Sequence, residues 1–361
     1  MVVAGARPNF VKINLLVKKL KKIKRFETFL VHTGQHYDFN MSEIFFRDLN
    51  IPKPDVYLNV GWSASQAGQT AKIMVRFESL LLQQRPDLVI VVGDVNSTLA
   101  CSIASAKLRI PVAHVEAGLR SFDRSMPEEI NRVVTDTLSS YLFVTEKDAI
   151  SNLLREGISK SKIHFVGNTM IDTLVKNQEK ILRSDAIQRF RLKPQKFAVI
   201  TLHRPSNVDS KRALLEIQEV LRLIAGKISL IYPVHPRSRH QMVKSSLWKN
   251  FLKIPGLKIV EPLGYVDFMS LVYHSKFVLT DSGGIQEETT FLKIPCLTMR
   301  ENTERPVTLK DGTNVLVGRD LDKIKRCVEK ILLRQAKKSR VPKFWNGKTC
   351  ERIVAILKKV L

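Results

Sequence analysis

The feature that most constrains the fold is a repeated alternation of short apolar runs with amphipathic helical patterns. In the first half, apolar runs at 2–4, 88–93 and 111–115 alternate with helical patterns near 66–84 and 97–108. Alternation of this kind builds parallel sheets with helices on both faces. The sequence therefore predicts an α/β fold.

The alternation occurs twice, which predicts two domains. It restarts after about residue 166, with apolar runs at 197–202, 229–234, 257–260, 277–280, 295–299 and 314–317. A chain of 361 residues is also long for a single core. We expect two doubly wound, Rossmann-like domains facing across a cleft. Their predicted bounds are 1–166, completed by a C-terminal helix at 346–361, and 167–345.

Composition favours a packed cytoplasmic protein. Hydrophobic residues make up 44% of the chain, and its longest apolar runs have the length of strands and not of membrane spans. The first ten residues show no basic segment followed by an apolar one, so no export signal is expected. The four cysteines are scattered without a CxxC pair, which argues against a disulfide framework or a zinc ribbon.

The net charge of +25 raises the alternative of a nucleic-acid-binding protein. However, the basic clusters at 18–25 and 334–340 contain no aromatic residues. The first cluster also keeps the apolar spacing of a packed helix, which predicts that its lysines face solvent. Nucleic acid is therefore not the expected partner, although the positive field would attract anionic small substrates.

Polar motifs follow nearly every predicted strand, at the position where open parallel sheets bind ligands. They are GARPNF (5–10), TGQH (33–36), GDVNST (93–98), HVEAGLRS (114–121), LHRPSN (202–207), VHPRSR (234–239) and TDSGGIQEE (280–288). Each of these segments carries a charged group, a histidine or a glycine. The sequence therefore predicts that the site lies at the carboxyl ends of the strands.

TDSGGIQEE predicts a phosphate site, because backbone N–H groups at a helix start bind anions. Ser282 would add a hydroxyl donor beside Gly283 and Gly284, and Glu288 could accept hydrogen bonds from a ribose. The alternative is a tight turn in which the glycines relieve backbone strain.

A second anion site is predicted in GARPNFVK, where Arg7 and Lys12 can reach a diphosphate. The alternative is a simple N-terminal turn. His203 and His235 each end a predicted strand beside arginine and proline, which suits an anion-binding loop, although a single histidine is more often structural.

Three carboxylates, Asp94, Glu116 and Glu128, are the acid/base candidates. Moving a proton from one face of a carbon to the other needs acids on both sides of it. The alternative is that Glu128 and Glu129 favour a helix start at Pro127, while nearby arginines pair with acids. Motifs for nicotinamide cofactors, P-loops and serine hydrolases are absent, and the histidine spacing does not favour a metal. We therefore expect no cofactor and no metal.

These motifs, with PEEINR, TERP and G-T-x-x-L-V-G (312–318), resemble the UDP-N-acetylglucosamine 2-epimerases of the non-hydrolysing bacterial and archaeal type. The resemblance runs in order across nearly the whole chain. It implies a GT-B-like fold, a homodimer without membrane insertion, and a role in polysaccharide biosynthesis for the cell envelope. It also implies reversible conversion of UDP-GlcNAc to UDP-ManNAc, by elimination and re-addition of UDP through a 2-acetamidoglucal.

The resemblance further implies roles for individual residues. The catalytic set would be Asp94, Glu116, Glu128 and His203. Substrate binding would involve Arg7, Lys12, His235, Phe268, Ser282, Gly283, Gly284, Glu288 and Arg305. A regulatory site would include Gln35 and His36.

Departures from the family pattern leave the sugar open. They are Ala6, Asn9, Val95, Ser206 and Val307. The alternatives are a 2-epimerase for a UDP-2,3-diacetamido sugar acid, a hydrolysing 2-epimerase that releases ManNAc and UDP, a GT-B glycosyltransferase, and a basic binding protein without catalytic activity.

Overall fold

A computed structural model describes residues 1–35, 48–61, 63 and 65–361, except for the side chain of Arg7. The described chain forms two compact units. Unit 1 comprises Met1–Lys176 with Lys343–Leu361, and unit 2 comprises Asn177–Pro342. None of the helices in these ranges combines the length and apolar character needed to cross a bilayer.

Unit 1 contains a seven-stranded parallel sheet in the order β3-β2-β1-β4-β5-β6-β7. Its strands are β1 (Val2–Ala4), β2 (Leu30–His32), β3 (Val56–Tyr57), β4 (Val89–Val92), β5 (Val112–Ala117), β6 (Tyr141–Val144) and β7 (Ile163–Phe165). Its described helices are α1 (Arg7–Leu20), α2 (Gln66–Gln84), α3 (Asn96–Lys107), α4 (Pro127–Leu138), α5 (Lys147–Arg155) and α6 (Thr169–Leu182), which continues into unit 2.

Unit 2 contains a six-stranded parallel sheet in the order β10-β9-β8-β11-β12-β13. Its strands are β8 (Phe197–Thr201), β9 (Ser229–Pro233), β10 (Leu257–Val260), β11 (Phe277–Thr280), β12 (Cys296–Thr298) and β13 (Asn314–Leu316). Its further helices are α7 (Ala186–Arg189), α8 (Pro205–Val208), α9 (Lys211–Ala225), α10 (Pro236–Lys244), α11 (Trp248–Leu252), α12 (Tyr265–His274), α13 (Gly283–Leu292), α14 (Pro306–Lys310) and α15 (Leu321–Leu332).

The central strands are mostly apolar because helices cover both faces of each sheet. All four residues of β4 are buried, as are all four of β11. The predicted α/β fold with two parallel sheets is confirmed. The edge strands β3 and β7 are not among the predicted strands, since each is only two or three residues long and partly exposed.

Each sheet reverses its strand order once, and this switch point is where open α/β sheets bind ligands. In unit 1 the reversal lies between β1 and β4, and in unit 2 between β8 and β11. The segments that leave these strands are GARPNF and GDVNST in unit 1, and LHRPSN and TDSGGIQEE in unit 2. The topology therefore brings the predicted polar motifs together in pairs.

The end of the chain returns to unit 1 as helix α16 (Thr349–Val360). The carboxylate of Asp172 accepts hydrogen bonds from the backbone N–H groups of Thr349 (3.0 Å) and Cys350 (2.7 Å) at the start of this helix. Just upstream, the buried Trp345 donates its indole N–H to the carbonyl of Thr145 at 3.0 Å. These contacts attach the final segment to the first sheet's layer of helices.

The basic cluster at 18–25 covers the end of α1 and the turn that follows it. Leu20 is buried, whereas the neighbouring lysines reach outward to acids. Lys21 pairs with Asp55 at 2.8 Å, and Lys19 with Glu351 at 3.1 Å. Part of the positive charge is thus balanced locally on the outside of a packed helix.

Candidate functional site

Glu116 lies at an irregularity near the end of β5. The pairing of β5 with β6 shifts register between Val115 and Ala117, and Glu116 itself has φ +76°. A residue other than glycine rarely adopts this left-handed backbone conformation. It costs about 1–3 kcal/mol, and such residues cluster at functional sites. The Glu116 carboxylate forms a buried ion pair with the Lys12 ammonium group from α1.

Gly93, which follows β4, makes room for this ion pair. Its φ is +70°, and a Cβ added there would lie 3.3 Å from Glu116 Oε2. The same Cβ would lie 3.4 Å from both Lys12 Nζ and the Asn9 side-chain nitrogen. Three polar side chains from α1 and β5 therefore converge on the turn between β4 and α3.

Asp94 is the next residue of that turn. Its carboxylate pairs with the buried Arg132 guanidinium, and its carbonyl accepts a hydrogen bond from Asn131 Nδ2 at 2.8 Å. The Asp94 side chain is 26% exposed, whereas that of Glu116 is 3% exposed. Asp94 is thus the more accessible of the two acids.

Helix α4 carries Glu128 and Glu129 and begins at Pro127, as the structural alternative for these two acids expects. Glu129 is buried and accepts hydrogen bonds from the backbone N–H groups of Ser121 and Phe122 (2.9 Å each) and from Arg132 (2.6 Å). Burial alone would raise the pKa of Glu129, but these donors lower it. Glu129 therefore orders the loop before α4. Glu128 is half-buried and lies one turn before Arg132 on the same helix.

The first loop is shaped by Asn9 and Gly5. Asn9 Oδ1 accepts hydrogen bonds from the N–H groups of Gly5 (3.3 Å) and Ala6 (3.0 Å). A Cβ at Gly5 would overlap the Ser97 hydroxyl, so the close approach of this loop to α3 requires glycine. Arg7 begins α1, but its side chain is outside the described part of the structure.

Of the predicted regulatory pair, Gln35 is described and His36 lies outside the described residues. Gln35 is buried, and its Oε1 accepts hydrogen bonds from Ser97 N (3.0 Å) and Ser97 Oγ (2.7 Å). Its carbonyl accepts a third from Gln69 at 3.2 Å. The Gln35 carboxamide is therefore tied to the start of α3.

In unit 2, Asp281 organises the switch point. This fully buried carboxylate accepts hydrogen bonds from the backbone N–H groups of His203 (3.0 Å) and Arg204 (2.9 Å) and from Asn207 Nδ2 (3.0 Å). The loop after β8 is thereby fixed to the end of β11. The rings of His203 and His235 lie 5.2 Å apart between centroids.

Ser282 precedes α13, and Gly283 and Gly284 are its first residues. A Cβ at Gly283 would lie 2.6 Å from Arg305 Nη1 and 2.9 Å from Glu304 Oε1. Arg305 and Glu304 are buried and form an ion pair. The predicted Arg305 therefore lies directly against the glycines of the predicted phosphate loop.

Glu288 lies further along α13, where Tyr265 donates its hydroxyl to Glu288 Oε1 at 2.8 Å. Burial raises the pKa of Glu288 to about 8; the Tyr265 hydrogen bond opposes this, and the neighbouring Glu287 adds to it. Phe268 lies three residues after Tyr265 on α12 and is half-buried. Helices α12 and α13 therefore place Phe268 and Glu288 on neighbouring elements.

Several residues of these two sites are absent from the sequence-based candidates. They are His114, Asp136, Asp281 and Tyr265. Asp281 directly precedes Ser282 within a motif already recognised, so its position was a usable signal. The contacts of His114 and Tyr265 join residues 22 and 23 positions apart, and no local pattern indicates them.

Two doubly wound parallel sheets with ionisable side chains at both switch points define an α/β protein of GT-B-like fold. The family model described as UDP-N-acetylglucosamine 2-epimerase matches residues 18–358. The chain therefore belongs to the UDP-N-acetylglucosamine 2-epimerase family and is an isomerase.

Individual relatives agree with this assignment. A UDP-N-acetylglucosamine 2-epimerase of Methanocaldococcus jannaschii is 43% identical over 361 residues, covering 99% of this chain and 98% of the relative. A UDP-2,3-diacetamido-2,3-dideoxy-D-glucuronate 2-epimerase of Pseudomonas aeruginosa is 40% identical over 328 residues, covering 90% of this chain and 89% of the relative. The crystal structure of the M. jannaschii UDP-GlcNAc 2-epimerase in complex with UDP-GlcNAc and UDP is similar with a TM-score of 0.91, 42% identity and 99% coverage of both chains.

Proposed function

We propose that this protein reversibly epimerises UDP-GlcNAc at C2 to UDP-ManNAc. In the forward direction a base removes the C2 proton, the C1–O bond to UDP breaks, and a C1=C2 double bond forms in 2-acetamidoglucal. Re-addition of UDP to C1, with a proton delivered to the other face of C2, gives the epimer. The carrying observation is that Glu116, in a left-handed conformation, faces Lys12 beside the turn that bears Asp94.

The acid/base set in this proposal is Asp94, Glu116 and Glu128. Proton transfer to and from carbon needs positioned carboxyl groups within reach of both faces. Arg132 and Lys12 support this role because each holds one of the acids through an ion pair. Glu128 would complete the set from the first turn of α4.

Unit 2 would bind UDP. The start of α13, with the helix dipole and N–H groups of Gly283 and Gly284, suits a diphosphate. His203 and Ser282 flank Asp281 at the same switch point and would add donors. Stabilising the departing diphosphate in this way lowers the barrier to C1–O cleavage.

The remaining predicted contacts extend this binding mode. Glu288 would accept hydrogen bonds from the ribose, and Phe268 would lie against the uracil. Arg305, Lys12, His235 and Arg7 would add positive charge or donors near the phosphates. Cationic and N–H groups are the usual partners of phosphate oxygens.

The wider setting is part of the same proposal. The protein would act in the cytoplasm as a homodimer, without a cofactor, and supply a polysaccharide of the cell envelope. The substrate would be shielded from solvent during the reaction, because a glycal intermediate must be kept from escaping into water. Gln35 and His36 would belong to a neighbouring regulatory site.

A second candidate substrate is a UDP-2,3-diacetamido sugar acid. The P. aeruginosa relative named for such a substrate is 40% identical to this chain. The first loop also carries Ala6 and Asn9, and the Asn9 amide converges on Gly93 with Lys12 and Glu116. The chemistry at C2 would be the same, and only the groups recognised on the sugar would differ.

The test is incubation with UDP-GlcNAc in D2O, without metal or acceptor, followed by NMR of the sugar. UDP-ManNAc carrying deuterium at C2 is the expected product. Free ManNAc would identify a hydrolysing enzyme instead. If UDP-GlcNAc is unchanged, the same assay with UDP-2,3-diacetamido-2,3-dideoxy-D-glucuronate decides between the second candidate and a transferase, and inertness toward both substrates contradicts the epimerase proposal.

A further inference from the structure

The buried ring of His114 lies beneath the candidate carboxylates of unit 1. His114 belongs to β5 and is fully buried. Its Nδ1 lies 2.6 Å from Asp136 Oδ1, and its Nε2 lies 2.8 Å from the carbonyl oxygen of Gly93. The ring therefore joins three elements: β5, helix α4 and the turn after β4.

These two partners fix the protons of the ring. A backbone carbonyl only accepts, so Nε2 must donate to Gly93. A proton must also lie between Nδ1 and Asp136, since two acceptors would repel at 2.6 Å. Asp136 already accepts from Gly118 N (3.0 Å) and pairs with Arg120 (2.7 Å).

Asp136 is held in its ionised form. Burial alone would raise the pKa of Asp136, but the His114 ring and the Arg120 guanidinium lower it. Because Nε2 faces a carbonyl and Nδ1 faces a carboxylate, a ring that donates from both nitrogens satisfies both contacts, and such a ring is an imidazolium paired with Asp136.

Gly93 links this cation to the candidate site. Its carbonyl receives the His114 hydrogen bond, and its N–H donates to the carbonyl of Val115 at 3.0 Å. The two peptide groups that flank Gly93, on the way into Asp94, are thereby each fixed by one hydrogen bond. The same glycine has its α-carbon against the Glu116–Lys12 pair.

The surrounding charges are balanced in pairs. Arg120 also pairs with Glu156 of α5 at 2.6 Å, so the inner group contains two cations and two anions. The charged groups that face this region from the neighbouring elements are Lys12 on α1, Asp94 after β4, Glu116 on β5, and Glu129, Arg132 and Asp136 on α4. Loss of the imidazolium would leave Asp136 with Arg120 as its remaining cation.

We propose that His114, as an imidazolium held by Asp136, is a positioning residue for the carboxylates of Asp94 and Glu116. It acts through the Gly93 peptide and through its charge, without touching the substrate. This proposal rests on the proposed function. The proposal adds His114 as an internal cation that sets the geometry and the charge balance around Asp94 and Glu116.

The test compares His114→Phe and His114→Gln with the control His164→Gln. Phenylalanine removes both hydrogen bonds, whereas glutamine can still donate to Gly93 but carries no charge. His164 is a second histidine of unit 1; it is partly buried on edge strand β7, where it packs against Tyr141 and Phe143. All three variants are assayed for C2 deuterium exchange against pH, UDP affinity and thermal unfolding.

We expect His114→Phe to lower kcat by about 100-fold with little change in KM, because small displacements of reacting groups have effects of this size. His114→Gln should recover part of kcat. The acid limb of its pH–rate profile should move to higher pH, because carboxylates that lose a nearby cation need less acid to be protonated. The control should keep the wild-type profile.

Two results would overturn the proposal. One is that both His114 variants lose activity only in proportion to their folded fraction, with an unshifted pH–rate profile. The other is a ¹⁵N spectrum of histidine-labelled protein in which the signal lost in His114→Gln belongs to a neutral ring. The ¹⁵N measurement does not depend on turnover, so an inactive wild type would contradict the proposed function while the protonation of His114 is still decided.

Discussion

Glu129 in unit 1 and Glu288 in unit 2 are both 3% exposed, yet their pKa values move in opposite directions. Glu129 accepts from two backbone N–H groups and from Arg132, which outweigh burial. Glu288 has a neutral phenol as its hydrogen-bond partner and Glu287 beside it. Equal solvent exposure therefore accompanies a lowered pKa in one carboxyl group and a raised pKa in the other.

This difference follows the chemistry proposed for each unit. In unit 1 the acids lie beside cationic side chains: Arg132 pairs with Asp94 and Glu129, and Lys12 pairs with Glu116. In unit 2 a binding group has no need to exchange protons with carbon. Glu288 can therefore serve as a hydrogen-bonding group with a raised pKa.

The largest effect should come from Asp94→Asn. We expect turnover to fall by about 10²–10⁴-fold, the usual contribution of a positioned acid or base. The affinity for UDP should be nearly unchanged, because the proposed UDP contacts belong largely to unit 2. Turnover is measured by deuterium incorporation at C2, and affinity by calorimetry with UDP. Near-normal turnover would remove Asp94 from the acid/base set.

The second-largest effect concerns how the free energy of unfolding varies with pH in the absence of ligand. The folded pKa of Glu288 is raised from 4.5 to about 8, so its contribution to stability is fully present below pH 4.5 and is lost as pH rises through about 8. Relative to Glu288→Gln, the wild type should lose about 1.4 kcal/mol per pH unit within this window and then level off. Urea denaturation of both proteins from pH 4 to 9 measures the difference.

Tyr265→Phe provides a companion to that experiment. The Tyr265 hydroxyl acts to lower the pKa of Glu288, so its removal should move the upper end of the window to higher pH. A stability difference that does not vary with pH in either variant would contradict the raised pKa. The comparison with Glu129 would then no longer hold.

Much of the fold could be predicted because buried parallel strands appear in the sequence as nearly continuous apolar runs. Strand β11 is entirely apolar until Thr280, and its predicted and observed bounds agree. The same logic locates the candidate site, since the switch-point topology gathers the residues that follow β1, β4, β8 and β11. Position after a strand was therefore sufficient to predict that Asp94 and His203 lie at the switch points, where the structure places them.

The rest depends on contacts between distant residues and on backbone conformation. The sequence HVE does not reveal that Glu116 adopts φ +76°, because the register shift that produces it depends on pairing with β6. Tyr265 and Glu288 are 23 residues apart, and nothing in the sequence indicates that they interact. Their hydrogen bond of 2.8 Å is visible only in the structure. The bond between His114 and Asp136 likewise requires α4 to pack on β5.

A smaller effect is expected from Gly283→Ala at the start of α13. The added Cβ would lie 2.6 Å from Arg305 Nη1, and the buried Arg305 cannot move freely because it also pairs with Glu287 at 2.9 Å. Such crowding costs about 1–3 kcal/mol. We expect UDP affinity to fall roughly 10-fold.

Gly226→Ala is the matched control in unit 2, since the nearest atoms to a Cβ at Gly226 are 3.7 Å away. Calorimetry with UDP compares the two variants. Equal affinities would show that the glycines of the α13 loop are not close to the diphosphate. The assignment of unit 2 as the nucleotide-binding unit would then lose its main support.

The smallest effect should come from Asp172→Asn, which tests a third way of holding a buried carboxylate. Asp172 accepts from the backbone N–H groups of Thr349 and Cys350, through a different oxygen for each. Asparagine can satisfy one of these donors but sets its NH2 group against the other, at a cost of about 1–3 kcal/mol.

Asp320→Asn is the control, because Asp320 caps the exposed start of α15 through one oxygen and asparagine caps helices equally well. Urea denaturation should show a loss for Asp172→Asn and almost none for Asp320→Asn. Equal stabilities would mean that α16 does not depend on this carboxylate, and that N–H donors alone, unlike the Arg132 of Glu129, contribute little to holding a buried acid.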